Sequence, residues 1–422
     1  MTMHFERATA LQRKASFFAL FLFCGIVLVS IPLLTAWMFF QLVNTSKNTS
    51  VLPVFDRCTV QHIDQLAKQL MKDNHIPGMA VGVVKNNRVV YRKGFGVASI
   101  ASGDAVTPET VFQLGSESKM MVGTAIMQLQ AQGKLNIDTP LFHYLPYFQL
   151  KDPRYKKITL RQVLSHRSGL PYCLPGKGCD FEDYLTPAFD EQALERHARG
   201  IGAASLLSEP GEKMQYSDIG FEMLGDVMAR VSGENFEDYV SHHIFQPLGM
   251  TRSSFLLRDI PPASLAAPHV LNKNTLTVNR FFPYSRQHAP SSHLFSTVDD
   301  MNRFALAHLR YGELDGVRVL PASAYAEMWS PQIHTNMPSP WEQQLGLGWF
   351  LGEVDGHRVR GHAGGDTGFA GELMLAPDDG VAVVAMVNRE FYVEEFSTQI
   401  MHWLLTPSAQ GSCVSPAVEI TH

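Results

Sequence analysis

Ser116 and Lys119 stand three residues apart in Phe112-Gln113-Leu114-Gly115-Ser116-Glu117-Ser118-Lys119, where an apolar-periodic segment begins. A hydroxyl and an amine at that spacing can serve as a nucleophile and its activator. If Ser116 opens a helix, Lys119 lies one turn on along the same face, and its amine reaches the Ser116 oxygen. Ser116 would also sit in the positive field of a helix N-terminus, where a backbone N–H can hold a developing oxyanion. The pair alone is a weak signal, because four arbitrary positions satisfy it by chance and a helix-capping Ser before a solvated Lys has the same spelling.

Two further stretches bear on it. Tyr216-Ser217-Asp218 follows Pro210-Gly211, and Gly361-His362-Ala363-Gly364-Gly365 falls in a run that reads as a strand. Glycine at 364 and 365 has a physical reason, since a substrate carbonyl must approach that strand closely and a β-carbon would obstruct it. Taken singly, each residue has an ordinary explanation. A Tyr beside a Pro-Gly turn is usually a core residue with a satisfied hydroxyl, and His362 reads equally as an edge-strand histidine. His166 reads as a loop stabiliser, and Trp349 and Phe112 as core or pocket wall.

The elements that must position these residues follow from periodicity. From Thr59 the apolar Val60, Ile63, Leu66 and Leu70 recur at helical spacing, and Pro77-Gly78 closes a first helix. Residues 79–84 and 88–91 are strand-like and separated by Asn86-Asn87, whose tolerance of positive φ suits a tight hairpin. The Ser116 helix is expected to run to Gln132 and stop at Gly133. Helical patterns dominate the middle, at 159–166, 191–199, 219–231 ending at Gly233, and 236–245. Thr297-Val298-Asp299-Asp300 has the form of a capping box with Asp in the third place, opening a helix to about 309. Strand patterns return at 345–351, 357–361, 371–375 and 381–387, with Asp379-Gly380 as a turn between the last two, and 391–405 reads as a closing helix. That order predicts an α+β (mixed α/β) fold in which the two ends of the body share one sheet. Ser116 then lies at the seam of sheet and helical insertion, where ligand pockets prefer to form.

Composition narrows the function. The 422 residues are 45% hydrophobic and 18% charged, as expected of a globular protein. A net charge of −5 with scattered Lys and Arg gives no basic stripe for nucleic acid. No HExxH, CxxC pair or EF-hand loop occurs, and neither a metal nor another cofactor is expected. The N-terminus departs from the average. No charge occurs between Lys14 and Lys47, and the almost wholly apolar run at 15–40 is long enough to span a bilayer. Arg7, Arg13 and Lys14 precede it, which favours a cytoplasmic N-terminus and a translocated remainder. A cleaved signal peptide is the competing reading, against which stand the length of the run and the lack of a small-x-small site. Cys24 reads as a lipid-facing or helix-packing residue, because Phe23 before it is too bulky for lipoprotein processing. The expected division is a cytoplasmic segment 1–14, an anchor 15–40, a polar tether 41–57, a catalytic body 58–405 and a tail 406–422. Asn44-Thr45-Ser46 and Asn48-Thr49-Ser50 in the tether are glycosylation acceptors only in a eukaryotic secretory pathway.

Several stretches now stand in order: Ser116 with Lys119, Leu164-Ser165-His166-Arg167-Ser168-Gly169-Leu170-Pro171, Tyr216-Ser217-Asp218, Pro247-Leu248-Gly249-Met250, Phe295-Ser296-Thr297, Gly346-Leu347-Gly348-Trp349 and Gly361 to Gly365. With them, residues 60–405 resemble the penicillin-recognising serine hydrolases, and within them the class C β-lactamase-like branch that also holds D-amino-acid peptidases and carboxylesterases. The resemblance implies an antiparallel sheet flanked by N- and C-terminal helices. It makes Ser116 the nucleophile of an acyl-enzyme, with Lys119 and Tyr216 sharing acid/base work. The oxyanion hole becomes the N–H groups of Ser116 and Gly365. Gly364 and Gly365 border the substrate, and His362 stands where many relatives have a Lys that grips a substrate carboxylate or tunes the site. Two departures touch substrate class. Asp218 replaces the usual Asn that binds an acyl amide, and Ser292-His293 replaces a frequent Gly-Gly.

The leading reading is a membrane-anchored hydrolase working outside the cytoplasm on an ester or a D-amino-acid or peptidoglycan-like amide, with the oligomeric state open. A non-catalytic binder of cell-wall fragments and a structural protein are the alternatives, and the retention of Ser116, Lys119 and Tyr216 argues against both. Asp218, if near Lys119, is expected to raise its pKa, making it a poor base and shifting proton abstraction to a Tyr216 phenolate. If it points away, it would instead bind a cationic substrate group. Outside the cytosol Cys173 and Cys179, which bracket a Pro-Gly loop, are expected to pair. In the resembled fold Cys58 and Cys413 flank helices on the same sheet, which makes them a second pair.

Overall fold

The computed structural model describes residues 57–173 and 187–406. The run at 15–40, the tether, Cys24, Cys179, Cys413 and the tail lie outside the described residues. Among the described residues no helix is long and apolar enough to cross a membrane.

α1 (Arg57–Asp73) buries Thr59, Ile63 and Ala67, one residue per turn. β1 (Gly78–Lys85) and β2 (Arg88–Gly96) follow as an antiparallel hairpin. Asn86 (φ 53°) and Asn87 (φ 56°) turn it in the left-handed region, as their side chains allow. The helical layer contains α2 (Ser118–Ala131), α3 (Leu160–Leu164), α4 (Ala193–Gly200), α5 (Asp218–Ser232), α6 (Ala289–Ser292) and α7 (Val298–Leu309). The chain then returns to the sheet through β3 (Ile333–His334), β4 (Gln344–Leu345), β5 (Phe350–Val354), β6 (His357–Asp366), β7 (Phe369–Ala376) and β8 (Val381–Val387). It closes with α8 (Glu394–Leu405).

The strands form one eight-stranded sheet in the order β2-β1-β8-β7-β6-β5-β4-β3. β8 pairs antiparallel with β1, Met79 opposite Val387, so the two ends of the body do share one sheet. Side-chain alternation divides the core. Val81, Val83, Val383 and Ala385 face a layer with Ile63 and Ala67 of α1 and Ile400 and Leu404 of α8. Ala80, Val84, Ala382 and Val384 face the helical layer with Met120 and Ile126 of α2 and Val298 of α7. Both faces are covered, which is why β1 and β8 read as nearly continuous apolar runs. α2 is buried almost all round from Ser118 to Leu129, making it the axis of the helical layer.

The element boundaries differ from expectation where tertiary packing intrudes. The strand expected at 345–351 is broken into β4 and β5. Between them Gly348 takes φ 79°, and a β-carbon there would lie 2.8 Å from the Lys119 carbonyl, so the break lets α2 approach the sheet. The helix at 236–245 changes at Ser241 to a π-helical turn ending at Phe245. The closing helix starts at Glu394, three residues later than expected. At α7 Thr297 Oγ1 accepts from Asp300 N at 3.1 Å, half of a capping box. The Asp300 carboxylate does not return the bond, because it accepts from Arg252 N and Ser253 Oγ, each at 2.8 Å.

Candidate active site

Ser116 does not open the helix as expected. It stands two residues before α2, in a turn that Gly115 enters at φ 52°. The Lys119 N–H donates to the Ser116 carbonyl at 3.0 Å, and Ser118 Oγ donates to the Gly115 carbonyl at 2.6 Å. Lys119 consequently lies in the first turn of α2, and its Nζ reaches Ser116 Oγ at 3.0 Å.

Lys119 Nζ has two further acceptors: the Ser291 carbonyl on α6 at 2.9 Å and Asp218 Oδ1, the first residue of α5, at 2.6 Å. The Lys119 side chain is wholly buried. Burial lowers its pKa below the ordinary lysine value, and the Asp218 carboxylate opposes that fall without reversing it. Asp218 does push the Lys119 pKa upward as expected, but desolvation outweighs the added charge, so the net shift is downward and the expected strongly held ammonium is corrected. So is the alternative in which Asp218 points away from Lys119.

Tyr216 hydrogen-bonds Ser116, and its phenol is held well above the usual value by burial and by the Asp218 charge. The expected phenolate is therefore replaced by a neutral phenol. Its ring is fixed by the LSHRSGLP stretch. His166, at φ 51°, stacks on Tyr216 at 4.1 Å, and its Nδ1 accepts from Ser217 N at 3.1 Å. Ser217 Oγ donates to the Pro171 carbonyl at 2.7 Å and caps α5 by accepting from Gly220 N at 3.2 Å. Burial keeps His166 neutral well below the ordinary histidine range, as a loop stabiliser would be.

β6 lies directly against the nucleophile turn. A β-carbon at Gly364 would lie 2.0 Å from the Leu114 carbonyl and 2.9 Å from Ser116 N. One at Gly115 would lie 2.5 Å from Gly365 N. The backbone N–H groups of 116 and 365 are thus brought to one place by two stretches that tolerate no side chain between them. His362, earlier on β6, is pushed down to about 3 by burial and by Lys119, so it is a neutral imidazole and not a cation that grips a carboxylate. Trp349 and Phe112 are fully buried. His293, at the Ser292-His293 departure, is buried and pushed down to about 3.

Sequence reasoning missed several residues. Ser291 acts through a carbonyl that any residue carries, so no signal could reveal it. Glu117 and Glu372 are wholly buried close to the site. Burial, then the other's charge, holds the Glu117 carboxyl well above its usual range, and burial pushes Glu372 up to about 8. Both are therefore kept as neutral acids. Glu342 and Glu394 border a cleft of about 670 Å³ that also contains Ser116, Tyr216 and His362. None of these acids belongs to a motif, and only the fold assembles them.

A family profile described as Beta-lactamase matches residues 63–406. The chain is 26% identical to Protein flp of Staphylococcus aureus over 352 residues, covering 81% of this chain and 66% of that protein. It therefore spans slightly less than two thirds of that relative's length. It is 30% identical to the putative penicillin-binding protein PbpX of Bacillus subtilis over 268 residues, 64% of this chain and 62% of that one. Among solved structures, the octameric penicillin-binding protein homologue from Pyrococcus abyssi superposes with a TM-score of 0.71 at 24% identity, covering 82% of this chain and 77% of that one. A penicillin binding protein from Bacillus halodurans does so at 0.67 and 24% identity, covering 80% and 99%. At that identity these two structures speak for the fold. From within α1 to the end of α8, then, the chain belongs to the β-lactamase family of penicillin-binding-protein-like serine hydrolases.

Proposed function

We propose that the protein is a membrane-anchored serine hydrolase that forms an acyl-enzyme on Ser116 and acts on an ester, or on a D-amino-acid or peptidoglycan-like amide. The catalytic body works on the non-cytoplasmic side, a reading supported by the apolar run at 15–40 and the basic residues before it.

The observation that carries the chemistry is the set of three acceptors around Lys119 Nζ. An ammonium has three protons and meets all three acceptors. When it loses one, Asp218 and the Ser291 carbonyl, which can only accept, keep the remaining two. The lone pair is then left for the Ser116 hydroxyl, the one neighbour that can donate. Lys119 takes the Ser116 proton as general base, and burial shifts its equilibrium toward the neutral amine. Ser116 Oγ attacks the substrate carbonyl, whose oxyanion the N–H groups of Ser116 and Gly365 receive. Tyr216, a neutral phenol beside Ser116, relays to the leaving group the proton that Lys119 took, and both groups end the step as they began it.

Labelling the purified protein with a fluorophosphonate and with a labelled penicillin tests this reading. The fluorophosphonate is expected to acylate Ser116, and Ser116→Ala to lose label and turnover while keeping its melting transition, since a cleft hydroxyl contributes little packing. Retained turnover in that variant would overturn the assignment. Alkaline extraction of membranes tests the anchor.

A further inference from the structure

The cleft beside Ser116 has walls of one electrical character. Glu342, just before β4, and Glu394, at the start of α8, both line it. Among the described residues no Lys or Arg does, and Lys119, buried behind Ser116, is engaged by Asp218. Glu342 is 5% exposed, and burial followed by the charges of Glu372 and Glu394 pushes it up to about 8. Those are carboxyls gathered without a counter-charge. Glu394 accepts from Ser339 Oγ, another residue of the cleft.

His362 provides an independent indication. It is 2% exposed, borders the same cleft, and has Nδ1 2.5 Å from the Ala363 carbonyl. A carbonyl only accepts, so Nδ1 carries the proton. In the neutral ring Nε2 is then a bare acceptor, and it has no partner among the described residues. Leaving a buried acceptor without a donor is unfavourable, and a ligand N–H would relieve it.

We infer that this cleft selects a substrate carrying an ammonium or guanidinium group, held by Glu342, Glu394 and His362 Nε2, and disfavours one carrying a carboxylate. The inference rests on the hydrolase reading and specifies its substrate class. A cation supplies the missing counter-charge and the missing N–H donors together. A carboxylate meets carboxyls whose ionisation is already disfavoured by burial and mutual repulsion, and it gives His362 Nε2 nothing to accept.

The test uses three nitrophenyl esters of matched length on the full chain: the 5-guanidinopentanoate, the heptanoate, and the monoester of adipate. The expected order of kcat/KM is guanidinium, then neutral, then carboxylate, with about tenfold or more between the first and the last. In Glu342→Gln the guanidinium-to-neutral ratio, read within the variant, is expected to fall about tenfold. Glu394→Gln gives the same readout should the first variant fail to fold. If the neutral ester turns over but the guanidinium ester is no better, the inference falls and the hydrolase reading stands. If no ester turns over and no fluorophosphonate label appears, the hydrolase reading falls. Calorimetry with n-butylguanidinium and pentanoate then decides the inference alone: tighter binding of the guanidinium supports it, and equal or tighter binding of pentanoate overturns it.

Discussion

At Lys119 two opposing effects meet, and their balance sets the chemistry. Desolvation lowers the amine's pKa while Asp218, 2.6 Å away, raises it, and desolvation prevails. Asp218→Asn removes the opposing charge, so the Lys119 pKa should fall further. The acidic limb of kcat/KM, which reports Lys119 losing its proton in the free enzyme, is expected to move to lower pH. An unmoved limb would show that another group titrates there. The carboxylate of Asp218 cannot donate to a substrate amide carbonyl, and an ester needs that donor less because its leaving group is better. Short activated esters are therefore expected to turn over and β-lactams to be hydrolysed weakly or not at all, with acylation by amides or β-lactams gaining in Asp218→Asn. Parallel assays of both proteins on an activated ester and a penicillin check this.

At the scale of elements, the site depends on how closely β6 and α6 are pressed to α2. Gly364→Ala would set a β-carbon 2.0 Å from the Leu114 carbonyl, a backbone atom with no freedom to withdraw. The variant is expected to lose activity roughly 10²-fold or more as the oxyanion donors separate, and to melt lower. α6 is held differently. Glu222 on α5 meets His197 Nε2 of α4 at 2.7 Å and His288 Nδ1, just before α6, at 2.6 Å, while Ser291 Oγ donates to it at 3.2 Å. Burial alone would raise the Glu222 carboxyl, but the His288 and His197 charges overrule it and hold it well below its usual range. A carboxyl depressed in the folded state contributes stability that is present above the ordinary value of 4.5 and is lost as pH falls through the folded value. Glu222→Gln is expected to cost about 1–3 kcal/mol in urea unfolding near neutral pH, the penalty for removing a buried carboxylate acceptor from its hydrogen-bond partners. The gap from the unmodified protein should narrow as the pH is lowered past about 4. A gap independent of pH would mean that Glu222 acts through packing alone.

At the scale of the whole molecule, the sheet is closed by strands from opposite ends of the body. Gly78 N donates to Asn388 Oδ1 at 2.7 Å across 310 positions of sequence. Cys58 and Cys173 are each disulfide-bonded, whereas Cys179 and Cys413, the partners expected from the sequence, lie outside the described residues. Non-reduced digests of exported protein are expected to yield peptides linking 173 to 179 and 58 to 413, and free thiols at 179 and 413 would refute the pairings. The sequence by itself determined much of the architecture. Asn86-Asn87 specified a hairpin because those residues accept positive φ, and Gly133 and Gly233 stopped α2 and α5 for the same reason. The separation of Ser116 and Lys119 is local, so the single turn that leads into α2 brings them together. What the sequence could not determine were quantities set by neighbours distant in the chain: the break at Gly348, the neutrality of Tyr216 and His362, the direction of the Lys119 shift, and the gathering of Glu342 and Glu394. Desolvation drives the pKa shifts, and it depends on how completely the finished fold removes water from each group. No spacing of residue types encodes that.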